Sequence, residues 1–258
     1  MTNERPLILI TNDDGYQAKG IRELAEAARD FGEVVVIAPD KHYSGASHSV
    51  TMNAPMTVKY HGKVDGVDYY AVNGTPVDCV KMAKIVVLRD RKIDMVLSGI
   101  NHGANAAVSV IYSGTVAAAI EASMDNIKSI GFSYCDLADD ADFTSAKHYA
   151  KLLIEKVLHY ENYPLNITLN VNIPKLPIEE IKGFKVVFQA KGFWNDELIE
   201  NVDPTGQKYY WLGGKMEDRQ HEEGSCLCEL AKGYVTIQPV QCDLTAYNYI
   251  GKLKNLEL

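Results

Sequence analysis

Three short, continuously apolar segments constrain the fold of this chain more than any other sequence feature. They occupy residues 7–10, 34–38 and 95–97, and each consists only of Val, Ile, Leu, Met or Ala. A strand that is apolar on both faces is typical of a parallel sheet that helices cover on both sides. The segments therefore predict the central strands of such a sheet.

A helix is predicted between the first two segments. Apolar residues recur there at helical spacing ahead of Gly32, at Ile21, Leu24, Ala25 and Ala28. The order strand, helix, strand predicts a right-handed crossover between parallel strands. Further strands are predicted at 69–72, 127–133 and 169–174, and further helices over 75–88, from 114 onward, and over 144–160. We therefore expect an α/β fold, with a mostly parallel sheet flanked by helices.

The predicted helix over 75–88 carries a specific start signal. Thr75 would be the N-cap, and Pro76 suits the first helical position because its missing N–H is not needed there. Asp78 could accept a hydrogen bond from the N-cap backbone, which completes a capping-box-like pair. The sequence thus predicts that this helix begins at Pro76.

The character of the sequence changes after about residue 181. Segments 184–188 and 209–212 resemble hairpin strands, with Gly206, Gly213 and Gly214 as turn signals, and 234–237 is a further strand candidate. Apolar helices are too few here for an independent core. We therefore divide the chain into an α/β core at 1–181 and a C-terminal β-rich extension at 182–258. The extension is expected to pack on the core and to carry a hairpin arm for oligomerisation.

The charge balance argues against one class of partner. The 258 residues carry 26 Lys and Arg against 34 Asp and Glu, a formal net charge of −8. A protein that binds duplex nucleic acid needs clustered basic residues for the phosphates. A phosphorylated small molecule stays open as a ligand, because a bound cation can supply positive charge locally.

The sequence also predicts a cytoplasmic protein. No apolar run approaches the roughly 20 residues of a membrane-spanning helix, and the N-terminal apolar segment is too short for a signal peptide. The five cysteines are odd in number and scattered, and the spacing of Cys226 and Cys228 does not match a zinc site. A reducing compartment accounts for them most simply.

Polar loops follow the predicted central strands at residues 11–15, 39–54 and 98–115. Open parallel sheets bind ligands beyond the carboxyl ends of their strands, so we expect a functional site where these loops meet. The middle loop is longer than most connections, which favours a functional role over a plain surface loop.

Asp13 and Asp14 are the first candidate ligands. Two adjacent carboxylates repel each other, and a divalent cation such as Mg²⁺ or Mn²⁺ relieves the repulsion and prefers oxygen ligands. The alternative interpretation is an Asp-Asp-Gly turn in which Asp14 caps the next helix. The position at the end of the first central strand favours the cation.

The other two loops offer contacts for an anion. Ser44 and Gly45 supply a hydroxyl and a flexible backbone. Ser113, Gly114 and Thr115 precede a predicted helix, whose N-terminus presents free N–H groups suited to phosphate. Ordinary N-capping explains this last segment equally well.

Other catalytic signals are missing or weak. The sequence has no Walker A segment, no GxGxxG after the first strand and no GxSxG nucleophile elbow. His48 and His102 lie in the candidate loops and could donate a proton to a leaving group. A structural role is favoured for each of them.

Taken together, these loops resemble the SurE family of nucleotidases. The matching segments are ILITNDDGYQAKGI at 8–21, VVVIAPDKHYSGASHSVT at 34–51, VNGTPVDCVKMA at 72–83, LSGINHGAN at 97–105, YSGTVAAAIEA at 112–122, LNVNIP at 169–174 and GYVTIQP at 233–239. No single motif is decisive, but their order and spacing across almost the whole chain are specific.

The resemblance implies a Rossmann-like core with a C-terminal arm for dimer or tetramer assembly. It also implies one divalent cation, Mg²⁺ or Mn²⁺, per subunit, held by Asp13, Asp14, Ser44 and Asn101. Within that set Asp13, Asp14 and Asn101 are the expected catalytic residues. Phosphate contacts are expected from Asn12, Gly45, Ser113, Gly114 and Thr115. The implied reaction is hydrolysis of nucleoside 5′-monophosphates, with 3′-monophosphates as further substrates, to nucleoside and phosphate; some relatives also trim short polyphosphate.

The chain departs from the family pattern at two places. His42 and Tyr43 stand where the family often has Asn-Arg before the Ser-Gly step. The missing guanidinium would have offered phosphate a fixed positive fork, so longer and more anionic substrates are disfavoured. Ala107 stands where many members have glycine, so we expect this loop to be less free to adopt a positive φ.

Three other functions compete with hydrolysis at a metal site. An aspartyl-phosphate mechanism of the haloacid-dehalogenase type ranks second, because the chain has DDG and not DxDGT. A non-catalytic sensor would bind a nucleotide or phosphate in the same loops and release no phosphate. A scaffold with a vestigial site is disfavoured, since such a site need not keep four oxygen ligands.

Overall fold

The computed structural model describes residues 5–138 and 140–256. Its strands are β1 (Leu7–Thr11), β2 (Glu33–Pro39), β3 (Val58–Val64), β4 (Val67–Val72), β5 (Met95–His102), β6 (Lys128–Tyr134), β7 (Thr168–Ile173), β8 (Phe184–Val186), β9 (Phe193–Val202), β10 (Lys208–Glu217) and β11 (Val235–Val240). Its α-helices are α1 (Lys19–Ala28), α2 (Pro76–Met82), α3 (Ser109–Tyr112), α4 (Gly114–Met124), α5 (Thr144–Leu158), α6 (Cys226–Ala231) and α7 (Tyr247–Leu253).

A mostly parallel sheet forms the centre of the molecule, in the order β3-β4-β2-β1-β5-β6-β7-β11-β8. The six strands β4, β2, β1, β5, β6 and β7 run parallel to one another. Strand β3 is antiparallel to β4, and β11 is antiparallel to β7. The predicted α/β fold is therefore confirmed. The polar loops after β1, β2 and β5 leave the same edge of this sheet.

Helices cover both faces of the sheet, which explains why its central strands are apolar throughout. Ile8 and Ile10 of β1 belong to the cluster that includes buried residues of α1 and α5. Leu7 and Leu9 belong to the cluster that includes residues of α2 and α4. Side chains alternate between the faces of a strand, so a strand buried on both sides needs apolar residues at every position.

The predicted start of α2 is confirmed at atomic level. The Asp78 backbone N–H donates to the Thr75 hydroxyl at 3.1 Å, and the Thr75 N–H donates to the Asp78 carboxylate at 2.9 Å. Pro76 occupies the first helical position. The α-helix ends at Met82 and is followed directly by a π-helical turn over Ala83–Val87. The helical segment therefore ends close to residue 88, as predicted.

The C-terminal region differs from the sequence prediction in its pairing. Segment 184–188 was expected in a hairpin, but β8 lies at the edge of the main sheet, parallel to β11. The hairpin is formed by β9 and β10, with Gly206 in its turn, whereas Gly213 and Gly214 lie inside β10. Local sequence does not distinguish a short edge strand from a hairpin strand, because the partner of β8 comes some fifty residues later.

The division of the chain at residue 181 stays a prediction. Residues 1–4, 139 and 257–258 of the two predicted regions lie outside the described residues. Within the described residues, none of the helices has the length and hydropathy needed to cross a bilayer.

Candidate active site

The turn after β1 holds Asp13 in a buried position. Asn12 braces this turn, because its side chain donates to the Gly15 carbonyl at 3.0 Å and accepts from the Gly15 N–H at 3.1 Å. The Thr115 hydroxyl donates to Asp13 Oδ1 at 2.5 Å. Gly114 lets the start of α4 approach so closely, since a Cβ at that position would lie 3.0 Å from the Cβ of Asp13.

Burial makes the two neighbouring carboxyl groups weaker acids than usual. It raises the pKa of Asp13 from 3.8 to about 6, and the charge of Asp14 adds to this effect, while the Thr115 hydrogen bond opposes it. Burial also raises the pKa of Asp14, against the opposing influence of His42 and His102. Asp14 Oδ2 is buried and makes no hydrogen bond. The pair is therefore short of positive charge and donors.

Asp14 does not cap the following helix, which was the alternative interpretation of the Asp-Asp-Gly segment. Helix α1 begins at Lys19, and its N-cap residue Ala18 has no side-chain hydrogen bond to the helix. The Asp14 carboxylate instead faces His42, whose Nδ1 lies 3.4 Å from Asp14 Oδ1. This finding removes the main structural explanation for the second carboxylate.

The loop after β2 joins the Asp-Asp-Gly turn through short contacts. The Tyr43 N–H donates to the Asp13 carbonyl at 2.8 Å. His42 Nε2 lies 2.6 Å from the Ser44 hydroxyl oxygen. Since His42 contacts Asp14 with its other ring nitrogen, one imidazole links the Ser44 hydroxyl to the carboxylate pair.

Two further contacts hold the same loop at its far end. The Ser47 N–H donates to the Tyr112 carbonyl at 3.0 Å, next to the start of α4. The Thr51 hydroxyl donates to Asp78 Oδ2 at 2.6 Å, so the acidic partner in the capping box of α2 also tethers the loop. The long loop is therefore fixed at three separate places.

Asn101 lies at the end of β5, just ahead of the loop that carries Asn105, and hydrogen bonds orient its amide group. Asn101 Nδ2 donates to the carbonyls of His102 and Gly103 at 3.0 and 2.9 Å, which leaves the amide oxygen available as a neutral ligand. Asn105 is buried in a network in which its N–H donates to Asn172 Oδ1 at 2.7 Å and its carbonyl accepts from Asn170 Nδ2 at 2.7 Å. Strand β7 thereby fixes the backbone of this loop.

A cavity of about 540 Å³ lies where the loops meet. Five predicted site residues line it, namely Asp13, Ser44, Gly45, Asn101 and Ser113. The other four lie beside it: Asp14 faces His42, Gly114 and Thr115 pack on Asp13, and the Asn12 side chain is used within its turn. Ser113 is also the N-cap of α4, because its hydroxyl accepts from the Val116 N–H at 3.1 Å.

A larger hollow of about 1310 Å³ lies elsewhere, at the amino ends of β1 and β2. Its walls carry both signs of charge, including the paired Arg91 and Glu33. Ligand sites of open parallel sheets lie at the opposite, carboxyl ends of the strands, so we place the functional site in the smaller cavity.

The residues at the cavity fit a hard divalent cation. Asp13 and Asp14 supply two anionic oxygens, and Ser44 and Asn101 supply neutral ones, which is the ligand chemistry of Mg²⁺ and Mn²⁺. The buried Asp14 Oδ2 without a hydrogen bond fits such a role. Among the described residues, no group of three or more His, Cys, Asp or Glu side chains is placed to hold a metal ion. The proposed set would not count as such a group, because only its two aspartates are of these types.

The histidines and Ala107 have defined environments. His102 lines the cavity and packs edge-on against Phe143, whereas His48 lies 3.3 Å from Glu121 and is part of its charge cluster. Ala107 adopts a φ of +51°, although an alanine was expected to be less free to do so. Its N–H donates to the sulfur of Cys226 at 3.3 Å, a contact that holds this conformation.

The apolar wall of the cavity was not predicted from the sequence. This wall is formed by Tyr112, Leu137, Trp194, Met216 and Leu227. Three of the five belong to the C-terminal extension, far from the loops along the chain, and no motif in the sequence connects them with the site.

Comparison with known proteins gives a consistent result. A family model described as Survival protein SurE matches residues 8–196. The 5′-nucleotidase SurE of Cytophaga hutchinsonii is 43% identical over 249 residues, 96% of each chain, and that of Bacteroides fragilis is 44% identical over 259 residues, 100% of each chain. The crystal structure of the SurE protein from Aquifex aeolicus gives a TM-score of 0.84 at 40% identity, covering 98% of this chain and 100% of that one.

Proposed function

The chain belongs to the SurE family, and on that premise we propose that it is a divalent-metal-dependent phosphomonoesterase. Its substrates are nucleoside 5′-monophosphates, with 3′-monophosphates as further substrates, and its products are nucleoside and phosphate. The name 5′-nucleotidase carried by its relatives supports this activity. The observation that carries it is the Asp13–Asp14 pair, with Asp13 buried and Asp14 Oδ2 without a hydrogen bond, beside a cavity with further oxygen ligands.

One cation per subunit, Mg²⁺ or Mn²⁺, would be held by Asp13, Asp14, Ser44 and Asn101. When bound, the cation supplies polarisation of a phosphoryl oxygen and a lower pKa for the attacking water. The protein contributes the placement of its ligands. The Thr115 hydroxyl orients Asp13, and His42 orients both Asp14 and Ser44.

The phosphate would rest at the N-terminus of α4. The first N–H groups of a helix have no partner within it and carry a partial positive charge, which suits the oxygens of a phosphate. Gly114 and Thr115 occupy this first turn, with Ser113 as its N-cap and Gly45 on the facing loop. The side chains of Asn12 and Thr115 then act indirectly, by bracing the turn that carries Asp13.

Phosphate release from a panel of nucleoside monophosphates, pyrophosphate and short polyphosphate tests the proposal. Release from the monophosphates should require Mg²⁺ or Mn²⁺, stop with chelator, and fall by at least about a thousandfold in Asp13→Ala and Asp14→Ala. The exposed Asp90 provides the matched control, because Asp90→Ala should leave the rate unchanged. Wild-type turnover of AMP by Asp13→Ala would refute the assignment.

We also propose a cytoplasmic homodimer or homotetramer. The five cysteines are free, which suits a reducing compartment. Apolar side chains crowd the exposed hairpin β9–β10, among them Leu198, Trp211 and Leu212 at 66, 65 and 72% exposure. Exposed apolar side chains in such number are typical of a subunit interface.

A further inference from the structure

We infer that Trp194 forms the surface on which the nucleobase of the substrate stacks. This inference rests on the proposed function and attributes contact with the base to a residue of the C-terminal extension. The indole lines the cavity that Asp13, Ser44 and Asn101 also line, and it is 41% exposed. An aromatic ring in the wall of a cavity that also carries the proposed phosphate contacts offers the base an apolar contact.

The position of Trp194 relative to the phosphate end of the cavity is fixed by a hydrogen bond. Its indole N–H donates to the Ser109 hydroxyl at 3.1 Å. Ser109 begins α3 and lies four residues before Ser113, the N-cap of α4. Ser113 has an extended backbone and separates α3 from α4, so the two helices meet at the residue that caps α4. The indole is thereby held beside the segment that carries the proposed phosphate contacts, and a ribose would join a phosphate at α4 to a base on the indole.

The surroundings of Trp194 hold the ring in place. Met216 lies directly opposite Trp194 in the β9–β10 ladder, so both side chains stand on the same face and both reach the cavity. Gly192, two residues earlier, is packed so tightly that a Cβ there would lie 2.8 Å from Leu227 Cδ1. The start of β9 is therefore anchored, and the indole is preorganised for its ligand.

The distribution of polarity in the cavity agrees with a nucleotide. Its polar residues come from the loops after β1, β2 and β5, while Tyr112, Leu137, Trp194 and Met216 form an apolar side. Every base has a π-face, so stacking on an indole accepts purines and pyrimidines alike. The structure thus assigns broad base tolerance, with tighter binding of nucleotides than of base-free phosphate esters.

Steady-state kinetics with AMP and ribose 5-phosphate give the first test. Stacking on an aromatic side chain is worth a factor of about 5 to 150 when the ring is removed. Trp194→Ala should lower kcat/KM for AMP by such a factor, mainly through KM, and change that for ribose 5-phosphate less than about twofold. Trp194→Phe should restore most of the loss. Equal losses for both esters, or no loss for AMP, would overturn the inference.

Fluorescence gives a test that needs no turnover. The chain has two tryptophans, so Trp211→Phe leaves Trp194 as the single indole. With chelator present, AMP and adenosine should quench its emission saturably, and ribose 5-phosphate should not. In the converse variant Trp194→Phe, AMP should leave Trp211 emission unchanged. Absence of quenching by AMP in Trp211→Phe would overturn the inference. If AMP quenches the emission of the wild-type protein but no phosphate is released, only the proposed function is refuted.

Discussion

Asp13 shows how a buried carboxyl group can favour function over stability. In the folded protein its pKa is about 6, against an ordinary value of 3.8, because burial disfavours its charged form. The rise corresponds to a penalty on the order of 3 kcal/mol for keeping the charge at neutral pH, at about 1.36 kcal/mol per pH unit. A cation bound by Asp13 and Asp14 would offset this penalty.

The penalty predicts a pH dependence for the cation-free protein. Since Asp13 holds its proton more tightly when folded, its contribution to the free energy of unfolding falls as pH rises from about 4 to about 6. Asp13→Asn removes this contribution, so in chelator the variant should be more stable than wild type at about pH 7, by roughly 1–3 kcal/mol. Urea denaturation across this pH range measures the difference. Parallel stability curves for the two proteins would contradict the assignment.

Some site residues could be predicted from sequence and others could not, for a physical reason. Asp13 and Ser44 follow, and Asn101 ends, strands whose apolar runs mark them as central, so their convergence at one edge follows from the fold class. Asn12 was expected to contact phosphate, but its side chain hydrogen-bonds within its own turn. That contact depends on the geometry of the turn, which the sequence does not specify. Trp194 belongs to a strand about 70 residues beyond α4, and no local sequence pattern predicts that packing.

At the level of elements, the N-terminus of α2 both caps its own helix and holds a loop of the site. Asp78 completes the capping box with Thr75 and also accepts from the N–H and hydroxyl of Thr51, in the loop that carries Ser44. The capping sequence was predicted, but the tether to Thr51 was not. A helix cap thereby becomes part of the support for the site.

Two variants should separate the cap from the tether. Thr51→Val keeps the capping box and loses only the hydroxyl, so we expect a stability loss of about 1 kcal/mol with a clear rise in the cation concentration needed for activity. Asp78→Ala loses both contacts, and should cost roughly 2–4 kcal/mol with a similar activity defect. Denaturation and Mn²⁺ titration of activity measure the two effects. An unchanged Mn²⁺ requirement in Thr51→Val would show that the tether does not position Ser44.

Strand β7 supports the loop after β5 through Asn172. Asn172→Ala would leave the buried N–H of Asn105 without an acceptor, at a cost of about 1–3 kcal/mol. Because that loop directly follows Asn101 at the end of β5, the variant should also require more Mn²⁺ for activity. The exposed Asn162 offers a control, since Asn162→Ala should change neither property. If Asn172→Ala loses stability alone, the network serves folding and not the site.

The elements that sequence predicted well are those buried on both faces. Strand β1 is buried at all five positions and β2 at six of seven, and their nearly continuous apolar composition indicates buried strands. Strand β3 has an exposed, mostly polar pattern and was not predicted. It forms because β4 pairs with it in antiparallel orientation, and its own sequence does not predict this pairing.

At the scale of the whole molecule, the hairpin β9–β10 is the main unpartnered apolar surface that we propose for assembly. Leu198 and Leu212 face each other across the ladder. The double variant Leu198→Glu, Leu212→Glu would place two charges in the proposed interface, and should lower the oligomer mass in sedimentation analysis at micromolar concentration. Glu179→Gln, at an exposed position after β7 and outside the hairpin, is the control. An unchanged mass in the double variant would place the interface elsewhere.

The layout of the cavity also bears on biosynthesis. The proposed cation and phosphate contacts all precede residue 116, whereas Trp194, Met216 and Leu227 are translated later, after β7 and β8. A nascent chain therefore brings its hydrolytic groups out of the ribosome before the wall that selects for a base. Premature release of the chain upstream of β9 would leave those groups facing open solvent on one side.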